Sequence, residues 1–329
     1  MERLGLRNPR NELDVLLKTM SNELLPEKDV LQNLWCFSTN VCPKSLFRYR
    51  KLNDHTLEDL KNDEVAFSIA KDFTGDPEDC TLHDQGGLDQ AVESIISLNP
   101  SDFILKNQTI SMYEYFKNIN LDTIRDREAV LCLTDNPLSK YFWNSYLGDG
   151  ADFCVVYDTE SLKISNLFSE VGTFILPVVY AETLPETNQY AAWTTICNLP
   201  FEELNIPSMR YGLDSLNLPN EMKDQLKRNL SVFENLSPND QKSRIQGLAY
   251  IDFVKTVFYK LSCFQDESEW RVITPLKSSE QNIDHPVRRW PASAIIIKDT
   301  LAADKIATLV NVAHCPIKYL NSQDFRMDD

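Results

Sequence analysis

The chain has 329 residues, 33 Lys and Arg against 49 Asp and Glu, a formal net charge of −16, and only 9 glycines. A carboxylate surplus of this size argues against bulk nucleic-acid binding, because neutralising phosphates draws on Lys and Arg. Neither GxGxxG nor GxxxxGK[ST] occurs, which excludes the Gly-rich dinucleotide fingerprint and the P-loop.

Taken in chain order, Leu13, Leu16, Leu17, Met20 and Leu24 mark one face of a helix ending at Pro26. With LWCFSTN, this reads as an N-terminal helical extension, residues 1–44, ahead of a main domain at 45–329. LFRYRKL (46–52) is a strand, Asn53 or Asp54 caps the short helix HTLEDLKND, and EVAFSIA (64–70) is a second strand. DFTGDPEDCT (72–81) is a loop, and helical spacing returns at 86–99 and around 112–119. AVLCLT (129–134) is a buried strand. Asn136-Pro137 predicts a helix start, LSKYFWNSYL its body and Gly148 its stop.

DFCVVYD (152–158) is a further strand, and TFILPVVYAE (173–182) is one interrupted by Pro177, as at a sheet edge or bulge. Residues 183–262 read as a helical and loop insertion that closes with a long helix opened by Ser237-Pro238. FQDESEWRVITP (264–275) and SAIIIKD (293–299) are strands, Thr300 caps LAADKIATLVNVA, and PIKYL is the last strand. Without βαβ regularity, the expected class is α+β, with mixed, partly antiparallel sheets and flanking helices. No apolar run approaches the ~18 residues of a membrane helix, and no secretory signal is visible. The 8 cysteines are scattered without a CxxC pair, which points to reduced thiols in a cytoplasmic protein.

Four histidines are present, none in an HxxxH or HExxH spacing, so no metal centre is expected. Asp72, Asp76, Glu78 and Asp79 offer oxygen ligands for Mg²⁺ or Ca²⁺, but not in EF-hand spacing, and a solvated acidic loop is the alternative. The sharpest local pattern is Glu267-Ser268-Glu269-Trp270-Arg271-Val272. In a strand, Trp270 and Val272 face the core, while Glu267, Glu269 and Arg271 share the opposite face. Two such carboxylates beside an arginine suit proton transfer or cation stabilisation, or form a salt-bridge ladder on a solvated face. Arg48 and Arg50 alternate with Phe47 and Tyr49, as on the wet face of a strand. Trp143 and Tyr146, at i and i+3, form either a base-stacking pair or part of the core.

Together, LFRYRKLNDHTLEDLKNDEVAFSIAKDF, AVLCLTDNPLSKYFWNSYLGDGADFCVVYD, LPVVYAE and FYKLSCFQDESEWRVITP resemble a bacterial family known as domain of unknown function 2971. The order of motifs also resembles the Arg–Ser–Glu arrangement of ADP-ribosyltransferases, with Arg48, Ser68, and Glu267 and Glu269 in the matching places. That resemblance implies NAD as substrate. Glu269 would stabilise the cation developing at the ribose, Glu267 would orient or deprotonate the acceptor, and Ser68 would hydrogen-bond Glu269. Arg48 would hold a phosphate, with Arg50, Arg271, Trp143 and Tyr146 as further contacts. It further implies a bacterial toxin or phage-defence component with a protein target or partner. A non-catalytic acidic binding or regulatory partner in such a system is the alternative.

Overall fold

The computed structural model describes residues 8–70, 73, 79–80, 97, 101, 107, 128–145, 148–160, 173–185, 220, 224, 227, 231, 236–276, 283, 285–321 and 326–327. Apart from residue 97, the helices expected at 86–99 and around 112–119 lie outside these residues, as does most of 186–235.

Two helices open the chain. In α1 (Pro9–Glu23), the Asn8 side chain accepts from the Arg10 amide and Pro9 sits at the first helical position. LWCFSTN belongs to α2 (Glu27–Val41). The chain continues through β1 (Ser45–Arg50), α3 (Asp54–Lys61), β2 (Glu64–Ala66), β3 (Ser68–Ile69), β4 (Glu128–Thr134), α4 (Lys140–Asn144) and β5 (Phe153–Asp158). Then come β6 (Phe174–Pro177), β7 (Val179–Ala181), α5 (Pro238–Phe258), β8 (Tyr259–Leu261), a 3-10 turn (Ser262–Glu267) and β9 (Glu269–Pro275). β10 (Val287–Arg289), β11 (Ala294–Lys298), α6 (Ala303–Val312), β12 (Ile317–Asn321) and β13 (Arg326–Met327) complete it.

The main sheet runs β13-β12-β11-β5-β1-β4-β9-β6, with β3 also on β4; β2–β10 and β7–β8 form separate pairs. β11 and β12 are parallel, whereas β4, β5, β6 and β9 pair antiparallel with their neighbours. The fold is therefore α+β with mixed sheets, as the element order predicts. β6 ends the main sheet, so Pro177 lies on an edge strand that tolerates a missing donor.

Both faces of this sheet are covered. On one, Leu46, Leu131, Val155, Trp270 and Ile295 pack with Leu60 of α3 and Leu309 of α6. On the other, Val130, Phe174, Leu176 and Ile273 pack with Leu13 and Leu17 of α1, Leu34 of α2 and Val254 of α5. The N-terminal helices thus form part of a layer rather than an appendage. Among the described residues, no helix is long and apolar enough to cross a membrane.

Local chemistry moves several expected boundaries. Asn53 caps α3 in a reciprocal capping box with Thr56. EVAFSIA is split at Phe67, whose amide donates to Pro286 O in another segment. The helix expected from Asn136-Pro137 starts later, because Ser139 is the residue whose side chain accepts the Phe142 amide. α6 begins after Ala302 rather than at Thr300.

Gly247 of α5 lies where a Cβ would stand 2.1 Å from the Leu25 carbonyl oxygen, a main-chain atom in the α1–α2 turn. Gly247→Ala is expected to destabilise the fold by about 1–3 kcal/mol through this overlap, read as a lower denaturant midpoint.

Candidate functional site

β4 serves two strands on one edge. Phe47 of β1 registers with Thr134, whereas Ser68 and Ile69 of β3 register with Val130 and Ala129. β9 runs along the whole opposite edge. β1 therefore leaves β4 before β3 joins it, and the sheet forks. A cleft of about 920 Å³ opens at the fork, with Arg48, Arg50, Ser68, Cys132, Glu267 and Glu269 in its wall. That size falls in the ~300–1,000 Å³ range of small-molecule sites.

The residues enter from two sides. Arg48 and Arg50 share the Leu46 face of β1, toward α3. Arg50 pairs with Asp59 at 3.3 Å, and Arg48 Nη1 donates to Ala66 O at 2.7 Å. Burial raises the Asp59 pKa, against the pull of Arg50 and Arg48. Ser68, opposite Val130, and Glu269, opposite Thr134, take the other face of the sheet. Those levels lie four residue steps apart on β4, roughly 13 Å along the strand. The expected Ser68–Glu269 hydrogen bond is thus out of reach. One cleft wall collects Arg48, Ser68, Glu267 and Glu269 only because the sheet is open between β1 and β3.

The E-S-E-W-R segment departs most from expectation. Glu267 ends the 3-10 turn, and Ser268 takes a left-handed conformation with φ 47° before β9 begins at Glu269. The alternation then holds, with Trp270 and Val272 in one core. The opposite face is no solvated ladder, because α1, α2 and α5 cover it. Glu269 is 4% exposed and Arg271 0%.

Arg271 is fully engaged. Its Nε and Nη2 donate to Glu269 at 2.8 and 3.1 Å, and Nη1 and Nη2 donate to Asp79 at 2.7 and 2.6 Å. Nη1 also donates to Val257 O and approaches Cys80 Sγ at 3.3 Å. It does not line the cleft and has no donor left for a substrate, contrary to the sequence expectation. Its burial is possible because two carboxylates match the guanidinium bidentately.

Lys260 is a site residue that no sequence pattern marks. From β8, its Nζ donates to Glu267 at 2.7 Å and Glu269 at 3.5 Å, lies 3.7 Å from Asp79, and stands 4.6 Å from the Phe264 ring centroid. Asp79 was visible only as one of a cluster of acids. Its partner Arg271 is 192 residues away in sequence.

These surroundings separate the two glutamates. Burial would raise the Glu269 pKa, but Arg271 and then Lys260 outweigh it and hold it down at about 2. Burial and then the Glu269 charge raise Glu267, offset only in part by Lys260. Lys260 itself is raised: burial opposes its charge, and Glu269, Glu267 and Asp79 restore it. Glu269 is held as an anion, whereas the surroundings of Glu267 raise its proton affinity.

Trp143 is no stacking platform. It is buried, its Nε1 donates to Pro137 O at 2.9 Å, and its ring meets Tyr49 edge-on at 5.1 Å. The neighbouring Tyr141 and Phe142 line the cleft instead. Tyr146 lies outside the described residues, as do Asp72, Asp76 and Glu78. Among the described residues, no three His, Cys, Asp or Glu side chains are grouped to hold a metal ion.

Arg271→Leu leaves Glu269 and Asp79 buried without their main partner and is expected to cost about 3–5 kcal/mol in unfolding free energy. The Glu269 pKa of about 2 lies below the ordinary 4.5, so its stabilisation is present above pH 4.5 and lost as pH falls toward 2. Glu267, with a raised pKa, acts in the opposite sense. The melting temperature of wild type, compared with Glu269→Gln across that window, isolates the effect: the variant's acid dependence is expected to be flatter.

In comparisons with protein-family models, curated proteins and solved structures, nothing matches this chain.

Proposed function

We propose that the cleft takes NAD as a substrate and that the protein is an ADP-ribosyltransferase-like enzyme. The observation that carries this reading is the single cleft whose wall holds Arg48, Arg50, Ser68, Glu267 and Glu269. Arg48 and Arg50 supply guanidinium groups for the pyrophosphate, a role that planar bidentate donors fill well. Tyr141 and Phe142 supply aromatic surface to the same wall. Breaking the nicotinamide–ribose bond sends its electron pair to the nicotinamide nitrogen, leaves cationic character at the ribose carbon, and releases neutral nicotinamide. The fixed charge of Glu269 favours that cation. The acceptor bonds to the ribose carbon as its proton passes to Glu267. The motif resemblance supports a bacterial toxin or phage-defence setting, with a protein as target or partner.

A second reading has its own support. Glu269 Oε1 and Oε2 are both engaged by Arg271, and Oε2 by Lys260, as in a structural ion network. On that reading the protein is a non-catalytic acidic binding or regulatory partner, and the cleft holds an anionic ligand without turning it over.

Incubation with labelled NAD and cell extract separates the two. The transferase reading expects label transfer or nicotinamide release by wild type, a kcat loss of about 10²-fold or more in Glu267→Gln, and a raised KM in Arg48→Ala. Saturable NAD binding with no nicotinamide released by any form would leave the non-catalytic reading standing.

A further inference from the structure

Among the described residues, the fork leaves one position of β4 registered with β9 on one edge and with no strand on the other. The Asp135 amide donates to Ser268 O, on the β9 side. Main-chain groups alternate between the two edges of a strand, so Leu133 and Leu131 also turn toward β9. Thr134, Cys132 and Val130 turn toward the fork. Thr134 meets Phe47 there, and Val130 meets Ser68. Cys132 stands between the prongs. Tyr49 would oppose it if β1 ran on, and Ala66 would if β3 extended backward, but neither registers with it. Ala66 O is already taken by Arg48 Nη1. Cys132 also lines the cleft and retains exposure, whereas Leu131 and Leu133 are 0% and 3% exposed. Its thiol points away from the fork's needs, into the Glu269 and Arg271 network.

We infer that the Cys132 main chain is a ligand subsite, whose N–H and C=O read a planar group carrying an acceptor beside a donor. A nucleobase edge and a primary carboxamide share that chemistry, and either would stand where the next strand residue is missing. A donor and an acceptor side by side in a half-closed cleft form an opening for such a group, because main-chain groups away from water are almost always paired. The inference deepens the NAD reading and rests on it for the ligand class. It adds that recognition at the fork comes from main-chain atoms, which no side-chain motif would show.

Amide hydrogen exchange on the wild-type protein tests it, with NAD, adenosine, nicotinamide and ribose 5-phosphate as probes. In the free protein the Cys132 amide is expected to exchange at least ~100-fold faster than those of Leu131 and Leu133, whose bonds lie in the β4–β9 ladder. Saturating adenosine or nicotinamide is expected to slow it at least ~10-fold, the effective one identifying which end of NAD sits at the fork, while ribose 5-phosphate leaves it unchanged. A Cys132 amide as protected as Leu133 in the free protein overturns the inference, as does one that no base- or carboxamide-bearing probe slows. Slowing by adenosine or nicotinamide without NAD turnover retains this subsite and removes the transferase. NAD turnover with an unchanged Cys132 amide does the reverse.

Discussion

The buried Arg271 guanidinium is the interaction on which the site depends. With Lys260 beside it, it joins three segments: the turn at Asp79–Cys80, the start of β9 at Glu269, and the end of α5 at Val257. A charge this deep is tolerated only when its donors are matched, and here two carboxylates and a carbonyl match them. The cleft's acidic end inherits its shape from that requirement. Lys260 answers the remaining negative charge and pairs with Glu267, whose carboxyl pKa is raised by burial and the Glu269 charge.

The main chain around Glu269 is fixed as firmly as its side chain. Its amide donates to Tyr180 Oη at 2.8 Å, and its carbonyl accepts from Val178 at 3.0 Å and Arg10 at 3.4 Å. Arg10 also reaches Asp135, which takes the Trp270 indole N–H. Thr134 Oγ1 donates to Glu267 O. The αL kink at Ser268 is thus pinned on both sides, by α1 and by the end of β4, as expected for strained backbone that the surrounding contacts over-determine.

Much of the fold was legible because it follows from periodicity and punctuation. The apolar stripe of α1, the Asn53 cap, the Ser237-Pro238 start of α5 and the Pro177 edge all appear where local rules place them. Legibility ended where non-local contacts decide. Alternation correctly paired Trp270 with the core, but it could not show that a helical layer covers the other face, turning a supposed solvated ladder into a largely buried ion network at the cleft wall. Motif order brings Arg48, Ser68 and Glu269 together in the sequence but carries no information about sheet faces. The register then put Ser68 on the Glu269 face and the arginines on the opposite one. Lys260 could not be found, because one lysine in a short strand has no spacing to recognise.

The fork at β4 has a mechanical consequence. The arginines belong to the ladder of β1, β5, β11 and β12, and the carboxylates to the ladder of β4, β9 and β6. Among the described residues, the two ladders register with each other only where Phe47 meets Thr134. A small rotation about that point changes the distance between the cationic and anionic ends while leaving each ladder whole. The width of the cleft thus depends on the shared core that packs beneath a joint one residue pair wide.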